Sequence, residues 1–390
     1  MKKILIVNNN MDMGGIQKSL VNLLREICGE YDVTLLLFSK SGSLLKDVPD
    51  NIRIITPHKC YRMLGLSRTE LKKYPLLYGL KYLMMKWSAL FSRRSAMKIL
   101  GVFQDKIKGY DTVISYSHLC HHKQFANGCG DFVLDKVDSD CKICMVHCDY
   151  LNSGYLSHRN NLEYAEFDRI ACCSDSVRAR FVEGAGVDGS KVYAVRNFYD
   201  LRAAELAEED PQVYDEGYIN IVIVARLSPE KGVDRAIEAL HNAERPDIRY
   251  YIIGDGPDKD KLINKTIEYG MTDRVFFLGE QHNSHRYMMN ADYLLVPSLH
   301  EAAPVVFDEA KTLGLPIIST DTTSAREMLG CSDLICENSL SGIEDTIIPL
   351  HKRINLESKP MTNQLQNEQF KQMIGSVSKK EPGDETMEDN

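Results

Sequence analysis

The 390-residue sequence lacks any run of about 18 or more apolar residues, the length that a membrane-spanning helix requires. It also lacks internal repeats and a low-complexity core. The apolar run at Ile4–Val7 is too short for the apolar region of a secretory signal, so we expect it to form a first strand. These features predict neither a membrane anchor nor a leader, and the length predicts two or three domains.

The cysteines argue against a disulfide-stapled secreted protein. There are eleven, an odd number, and their spacing is scattered. This pattern is typical of reduced thiols in the cytosol. Hydrophobic residues make up 44% and charged residues 26% of the chain, which excludes a disordered or collagen-like protein. We therefore expect a cytoplasmic globular protein.

Short apolar runs rich in Val and Ile alternate with helical segments, which predicts α/β domains with parallel sheets and right-handed crossovers. The pattern breaks in the acidic stretch 201–218, where we predict a linker between a domain of residues 1–200 and one of residues 219–353. A C-terminal helix and a disordered acidic tail are expected in residues 354–390. The predicted strands are Ile4–Val7, Val33–Phe38, Thr112–Tyr116, Ile143–His147, Ile170–Cys173, Val192–Val195, Ile219–Val224, Tyr250–Ile253, Val275–Leu278, Tyr293–Val296 and Pro316–Ser319.

Two doubly wound, Rossmann-like domains would face each other across a central cleft, with ligands at the carboxyl ends of their strands. Gly14 and Gly15 follow the first predicted strand, where the chain turns into a helix. Glycines let the backbone approach a ligand closely, and a helix N-terminus suits phosphate. A plain tight turn is the alternative. The third glycine of the dinucleotide fingerprint and the Gly-Lys-Ser/Thr of a P-loop are both missing.

Two cations follow the first strand of the second domain, at Arg226 and Lys231. A guanidinium can bind two oxygens at once and an ammonium acts as a point charge, so this pair suits a diphosphate. The alternative is a solvated loop. Gly254, Asp255 and Gly256 follow the next strand, where the glycines either admit a ligand or form a turn.

Two carboxylates, Glu301 and Glu309, follow the strand Tyr293–Val296. Glu309 falls among Val305 and Leu313 on a predicted helix, so we expect it to be partly buried. A buried carboxylate needs hydrogen-bond donors, which a ribose diol would supply. Pairing with a Lys or Arg elsewhere is the alternative. Glu301 either caps the helix or contacts a sugar hydroxyl.

Histidines stand near two strand ends, at His118 and His147, and each is either a cleft residue or a hydrogen-bonded core residue. Cys141, Cys144 and Cys148 near His147 raise the question of zinc. Side chains of a strand alternate between faces, so Cys141 and Cys144 would point apart. We predict no metal site.

The second-domain motifs resemble those of the retaining glycosyltransferases of family 4, which have the GT-B fold. Order and spacing agree over about 110 residues. The first domain is similar more loosely, through Gly14-Gly15 and a strand that ends in a histidine. The matching positions are Arg226 with Lys231-Gly232, Gly254-Asp255-Gly256, Glu301 with seven residues before Glu309, Ala310 and Gly314-Leu315-Pro316.

The resemblance implies a role for each matching residue. Glu309 would hold the nucleotide ribose, and Glu301 would contact the donor sugar. Arg226 and Lys231 would neutralise the diphosphate. The Gly15 N–H group would lie near the diphosphate or the reacting centre, and His147 near the donor sugar, in a domain that binds the acceptor. Further substrate contacts are expected from Gly14, His118, Gly254, Asp255, Gly256, Ala302, Ala303, Pro304 and Val305.

The implied activity is a retaining, metal-independent transfer of the hexosyltransferase type, without a cofactor. It would take a sugar from a nucleotide diphosphate donor, with UDP expected, to a glycan or polyprenyl-linked acceptor in cell-surface polysaccharide synthesis. The chain departs from the family at Ala302-Ala303-Pro304, where Gly-Phe-Gly is common, and this leaves the donor sugar open. In this fold a final helix often crosses back to the first domain, and Asn363–Met373 is the candidate.

The net charge of −8 conceals a basic lobe, residues 59–108, with twelve Lys/Arg and two acids. Its predicted helix has an apolar stripe that includes Leu76, Leu83, the single Trp87 and Leu90. This composition suits an anionic membrane surface, the inner face of the plasma membrane, rather than nucleic acid. An insertion packed on the first domain, with its cations in water, is the alternative. The surrounding cations are Lys72, Lys73, Lys81, Lys86, Arg93, Arg94 and Lys98.

Two other functions remain open from the sequence. A nucleotide-sugar epimerase on the same fold would act without an acceptor. A non-catalytic glycosyltransferase subunit would have no need to keep Arg226, Lys231, Glu301 and Glu309.

Overall fold

The computed structural model describes residues 1–330, 333–352 and 361–375, and its strands form two parallel sheets. The predicted disordered tail, residues 379–390, lies outside this range. The strands are β1 (Lys3–Asn8), β2 (Asp32–Leu37), β3 (Arg53–Ile55), β4 (Ile107–Ser115), β5 (Val137–Val146), β6 (Arg169–Cys172), β7 (Val192–Ala194), β8 (Ile219–Val224), β9 (Ile248–Ile253), β10 (Val275–Gly279), β11 (Tyr293–Val296), β12 (Ile317–Thr320) and β13 (Leu334–Cys336). The first sheet has the order β3-β2-β1-β4-β5-β6-β7, and the second has the order β10-β9-β8-β11-β12-β13.

Helices connect the parallel strands and cover both faces of each sheet. They are α1 (Gly15–Ile27), α2 (Arg62–Gly65), α3 (Arg68–Leu71), α4 (Pro75–Leu90), α5 (Arg93–Leu100), α6 (Cys129–Lys136), α7 (His158–Ala165), α8 (Asp175–Ala185), α9 (Ala203–Glu208), α10 (Val233–Asn242), α11 (Lys259–Glu268), α12 (His285–Met288), α13 (Val305–Thr312), α14 (Ala325–Met328), α15 (Leu340–Ile347) and α16 (Gln364–Ile374). Short 3₁₀ turns occur at Ser43–Asp47, Lys59–Tyr61, Gly101–Phe103, Gly189–Lys191 and Pro229–Lys231.

The strand sequences are continuous apolar runs because both faces of each sheet are buried. In β1, Leu5 and Val7 pack into one core layer, and Ile4 and Ile6 pack into the layer on the opposite face. All four side chains are fully buried. The prediction of two parallel α/β sheets is confirmed.

The strands that sequence reasoning missed, β3 and β13, have three residues each and lie at edges of the two sheets. β5 begins at Val137 rather than Ile143 because its first half pairs with β4.

The stretch 201–218, predicted as a linker, contains α9. Its Ala207 is buried in the core of the second sheet, so this stretch contributes a packed helix.

The final helix, α16, packs on the first domain. Phe370, Met373 and Ile374 are buried in the same core layer as Ile4. Asn363, just before the helix, donates a hydrogen bond to Glu26 Oε1 at 2.7 Å. The chain therefore ends its described course on the domain where it began.

The basic lobe packs on the first domain through some of its side chains and leaves others exposed. Three of its predicted surface cations turn inward. Lys81 donates to the Met63 carbonyl at 2.9 Å, and Arg93 Nε lies 2.7 Å from Asp131 Oδ2 with the guanidinium 1% exposed. Arg94 pairs with Asp135 at 3.2 Å. These three cations therefore stabilise the fold and do not belong to a free charged face.

The other half of the lobe stays uncovered. On α4, Leu76, Leu83 and Leu90 are 91%, 60% and 76% exposed, whereas Met84 is buried against the first domain. The lysines that remain exposed around these leucines are Lys72, Lys73, Lys86 and Lys98. None of the helices in the described residues has both the length and the apolar character needed to cross a bilayer.

The loop after β9 packs tightly on the loop after β8. Gly254 has φ 138°, and a Cβ there would lie 1.9 Å from the Ala225 carbonyl oxygen. A Cβ at Gly256 would lie 2.2 Å from the Leu227 carbonyl oxygen. Leu227 N also donates to Asp255 O at 2.9 Å. Both glycines are thus required by the close approach of two backbones.

Removing the ring of Phe370 tests the attachment of α16. We expect Phe370→Ala to lower the free energy of unfolding by about 3–5 kcal/mol, because it leaves a cavity in a closed core. Leu365→Ala, on an exposed position of the same helix, should change it by about 0.5 kcal/mol or less. Chemical denaturation measures both, and equal effects would contradict the docking of this helix.

Gly254→Ala tests the packing of the two loops. The added methyl group meets backbone that cannot move away cheaply, so we expect a loss of about 3 kcal/mol in unfolding free energy. Gly270 is the matched control, since its φ is 65° and the space around its Cα is open. Gly270→Ala should cost about 1 kcal/mol through the left-handed backbone alone. Similar thermal shifts for the two variants would refute the steric argument.

Candidate active site

The two domains meet where α1 faces α13. Lys18, one turn into α1, places Nζ 2.7 Å from Glu309 Oε1 and 3.2 Å from Ser284 Oγ. Gly14 and Gly15 form the start of that helix, and no heavy atom of the described residues lies within 4 Å of a Cβ built at Gly15. Gly15 itself is exposed, so the N-terminal end of α1 is open at this residue.

Glu309 is buried, 6% exposed, as its position on α13 predicts. The alternative of a basic partner is also realised, by Lys18. Burial raises the pKa of Glu309, but the charge of Lys18, and after it the interaction with His285, more than offset burial and leave that pKa below its ordinary value. Oε1 is engaged, while the buried Oε2 has no hydrogen-bond partner among the described residues. One carboxylate oxygen thus remains free to accept a bond.

The second pair joins the cation and the carboxylate of the neighbouring loops. Lys231 Nζ lies 2.6 Å from Glu301 Oε1, and Ser298 Oγ donates to the same oxygen at 2.7 Å. Lys231 ends a 3₁₀ turn after β8, and Glu301 lies in the loop after β11. Because β8 and β11 are adjacent parallel strands, their loops meet at one edge of the sheet.

Arg226 lies two residues after the end of β8 and five residues before Lys231, and it is exposed. Its charge helps to lower the pKa of Glu230, where burial is outweighed mainly by the Ser228 hydroxyl. Asp255 is also exposed and pairs with Lys259 at 2.7 Å. The four predicted donor-binding groups thus do not form one cluster: Lys231 meets Glu301, Lys18 holds Glu309, and Arg226 points into solvent.

The loop between the two glutamates packs against the first domain. Asn197 Nδ2 donates to the Ala303 carbonyl at 3.0 Å. Ala302 is buried in a core cluster of the first domain. Pro304 is the residue just before α13, which begins at Val305. The N–H group that Pro304 lacks would make no hydrogen bond within the helix, so its absence costs nothing there. This segment therefore carries an interdomain contact.

His118 and His147 stand together on the first domain. Burial lowers the pKa of His118 to about 4, and burial with the nearby His118 lowers that of His147 to about 3. Both imidazoles are therefore neutral at physiological pH. His118 Nδ1 and His147 Nε2 are buried without hydrogen-bond partners in the described part of the chain. His118 stacks on Tyr155, whose pKa is raised by burial and in small part by Glu230 of the opposite domain.

Sequence reasoning missed the residues that join the domains. Lys18 could have been found, since it lies three residues after Gly15 and hence on the same helix face. His285 had no such signal. It lies on the four-residue α12, and its Nε2 comes 3.8 Å from Glu309 Oε1 only in the folded chain.

The cysteines lie as strand geometry predicts. Cys141 and Cys144 pack in opposite core layers of the first sheet. The ten cysteines in the described ranges are free thiols, and Cys331 lies outside those ranges. No three His, Cys, Asp or Glu side chains in the described ranges are grouped in a way that would hold a metal ion.

Comparisons with known proteins agree with this architecture. Residues 207–346 match the family described as Glycosyl transferases group 1. The gpi3 subunit of phosphatidylinositol N-acetylglucosaminyltransferase from Schizosaccharomyces pombe is 29% identical over 224 residues, covering 55% of this chain and 46% of that protein. The putative glycosyltransferase EpsF of Bacillus subtilis is 24% identical, covering 58% of this chain and 62% of EpsF. The chain spans about half the length of the curated relatives it matches.

Solved structures resemble nearly the whole chain. HepE of Anabaena, in complex with UDP and glucose, has a TM-score of 0.63 at 16% identity and covers 89% of both chains. TarM of S. aureus has a TM-score of 0.65 at 11% identity, covering 90% of this chain and 92% of TarM. These likenesses confirm the fold predicted from the motifs. The chain has the GT-B fold of glycosyltransferases, and its residues 207–346 carry the sequence pattern of the glycosyl transferases of group 1.

Proposed function

We propose that this chain transfers a sugar from a nucleotide diphosphate donor to a glycan or polyprenyl-linked acceptor, with retention of anomeric configuration and without a metal ion. The observation that carries the proposal is the placement of Lys231, Glu301 and Arg226 on adjacent loops at the carboxyl edge of the second sheet, within the group 1 match. Glu309 lies on the next helix and faces the open start of α1.

The charges on these loops suit a diphosphate. Lys231 is 26% exposed, so its ammonium can reach a ligand as well as Glu301. Arg226 is exposed and offers a planar fork of donors that binds two phosphate oxygens at once. Two cations can offset the charge of a diphosphate that would otherwise favour a metal ion. Glu301, fixed by Lys231 and Ser298, is placed to accept hydrogen bonds from sugar hydroxyl groups.

In the proposed reaction the bond between the anomeric carbon and the phosphate oxygen breaks, and a bond from that carbon to the acceptor oxygen forms on the same face. The acceptor proton goes to the departing phosphate, so no separate base is required. The leaving diphosphate gains negative charge in the transition state, which Arg226 and Lys231 stabilise. Retention rests on the resemblance to family 4.

The neutral His147 and His118 suit the acceptor side of the cleft. A neutral imidazole can donate from one nitrogen and accept at the other, so each ring can orient a hydroxyl group without adding charge. The buried ring nitrogens without partners, His118 Nδ1 and His147 Nε2, have hydrogen-bonding capacity that the described residues do not use. Closed domains exclude water and so suppress hydrolysis of the donor.

The names of relatives support a UDP donor and a role in surface polysaccharide synthesis. HepE was solved with UDP-glucose. Relatives include an O-antigen biosynthesis glycosyltransferase of Escherichia coli. We therefore propose a UDP-sugar donor and an acceptor on a glycan or lipid carrier, at the cytoplasmic face of an anionic membrane.

Lys231→Ala tests the diphosphate role. We expect turnover with the best donor from a panel of nucleotide sugars to fall about 100-fold or more, since the leaving group loses a cation. Lys265→Ala is the matched control, because Lys265 pairs with Glu238 at 2.6 Å in the same domain but far along the chain from the site. Wild-type turnover in the Lys231 variant would refute the role.

The same assays separate the other functions. Donor incubated without acceptor, followed by sugar analysis, would reveal an epimerised sugar if the chain is an epimerase. Calorimetry that detects no binding of any nucleoside diphosphate would favour a non-catalytic subunit. Product with inverted configuration would contradict retention.

The exposed face of the basic lobe supports a peripheral membrane contact. The leucines at positions 76, 83 and 90 repeat every seven residues, so they lie on one side of α4. Trp87 and Phe91 stack beside them with ring centroids 4.6 Å apart. Apolar side chains ringed by lysines are typical of a helix that lies in an anionic lipid surface.

Vesicle flotation tests this contact. We expect the triple reversal of Lys72, Lys73 and Lys86 to Glu to weaken binding to phosphatidylglycerol vesicles about 100-fold, because each lysine near the surface contributes about 1 kcal/mol. The matched control reverses Lys40, Lys191 and Lys261, which are exposed outside the lobe and change the net charge equally. Unchanged flotation of the lobe variant would end the membrane proposal.

A further inference from the structure

We propose that Lys18 of the first domain is a positioning residue of the nucleotide site, which holds Glu309 so that its second carboxylate oxygen is presented to the ribose. The inference rests on the proposed function, because it deepens the role of Glu309 in nucleotide binding. It adds a residue outside the group 1 match, which covers residues 207–346.

The two oxygens of the Glu309 carboxylate differ in their contacts. Oε1 accepts from Lys18 Nζ at 2.7 Å, whereas Oε2 is buried and has no partner among the described residues. A buried carboxylate oxygen without a donor is costly, so its retention points to a ligand that supplies one. A ribose hydroxyl group is a donor of suitable size.

The ionisation of Glu309 depends on the groups around it. Burial alone would favour its neutral form, which presents a hydroxyl in place of one acceptor oxygen. The charged and titratable groups that face it are Lys18 from α1, His285 from α12 and Asp308 on its own helix. Burial lowers the pKa of His285, so at neutral pH this histidine is uncharged. Lys18 is therefore the charged group that holds the pKa of Glu309 down at neutral pH.

The two residues of this pair come from different domains. Lys18 belongs to α1, which follows β1 of the first sheet, and Glu309 belongs to the second domain. The nucleotide pocket thus has its full charge arrangement only when the domains face each other as in this structure. Ser284, from the second domain, accepts a further bond from Lys18 at 3.2 Å and fixes the direction of its side chain.

Binding of UDP, measured by calorimetry at about pH 6 and about pH 8, tests the inference. We expect Lys18→Met to weaken binding about 10-fold or more at the lower pH and less at the higher pH. The sign follows from charge: without Lys18 the pKa of Glu309 rises, so its protonated fraction grows as the pH falls. Lys18→Arg keeps the charge and should bind UDP within about 3-fold of wild type at both values.

Arg25→Met is the matched control. Arg25 lies on the same helix, is 22% exposed where Lys18 is 20% exposed, and pairs with Asp200 at 3.1 Å instead of with Glu309. It should leave UDP binding unchanged at both values of pH. A double variant, Lys18→Met with Glu309→Gln, should bind no more weakly than Glu309→Gln alone, because Lys18 acts through Glu309.

The outcomes separate two failures. If wild type binds UDP and Lys18→Met binds equally well at both values of pH, the role of Lys18 is refuted while the proposed function stands. A loss that is the same at both values of pH and that Lys18→Arg does not restore would also refute it, in favour of a merely structural contact. Absence of UDP binding in wild type would overturn this inference together with the UDP donor.

Discussion

The structure depends on one constraint: in each sheet all strands run the same way, so every carboxyl end lies at the same edge. Loops that are far apart in sequence are thereby brought together. The turn after β1 carries Gly14 and Gly15, the turn after β8 carries Lys231, and the turn after β11 carries Glu301. The candidate site residues collect at these edges because a parallel sheet places its helix N-termini and its free loop backbone there.

A second consequence is that the site is shared. The second domain carries Lys231, Glu301 and Glu309, and the first domain supplies Lys18, which pairs with Glu309. A buried ion is tolerated only with a partner, so a buried Glu309 without a cation beside it would destabilise the protein. Lys18 of α1 supplies that cation, and the resulting ion pair favours the arrangement in which the two domains face each other.

The fold could be predicted from the sequence because apolar runs and helical segments alternate without interruption, and the motif spacing in residues 219–353 is specific. The strands β3 and β13 could not be predicted, because a run of three residues is too short to show the hydrophobic periodicity of a strand. Site loops could be placed, because they follow strands. The pairing of side chains across the two domains could not be predicted, because Lys18 and Glu309 are 291 positions apart and no local sequence pattern links them. Gly254 shows a further limit: the sequence left a ligand contact and a tight turn both open, and the close approach of the Ala225 backbone requires a glycine there in either case.

Composition likewise gave the charge of the basic lobe but not its use, and Arg93 shows why this matters for function. Its guanidinium is buried, and Asp131 and Glu163 raise its pKa against the effect of burial. It also donates to the Cys120 carbonyl, and its backbone N–H donates to His122 O at 2.6 Å. Arg93 therefore fastens the lobe to the loop that begins at His118. A lobe that meets a membrane through α4 would hold that loop, and the acceptor side of the cleft, at a fixed height above the lipid. The ion pairs that bury these cations thus fix the position of the exposed lysines relative to that loop.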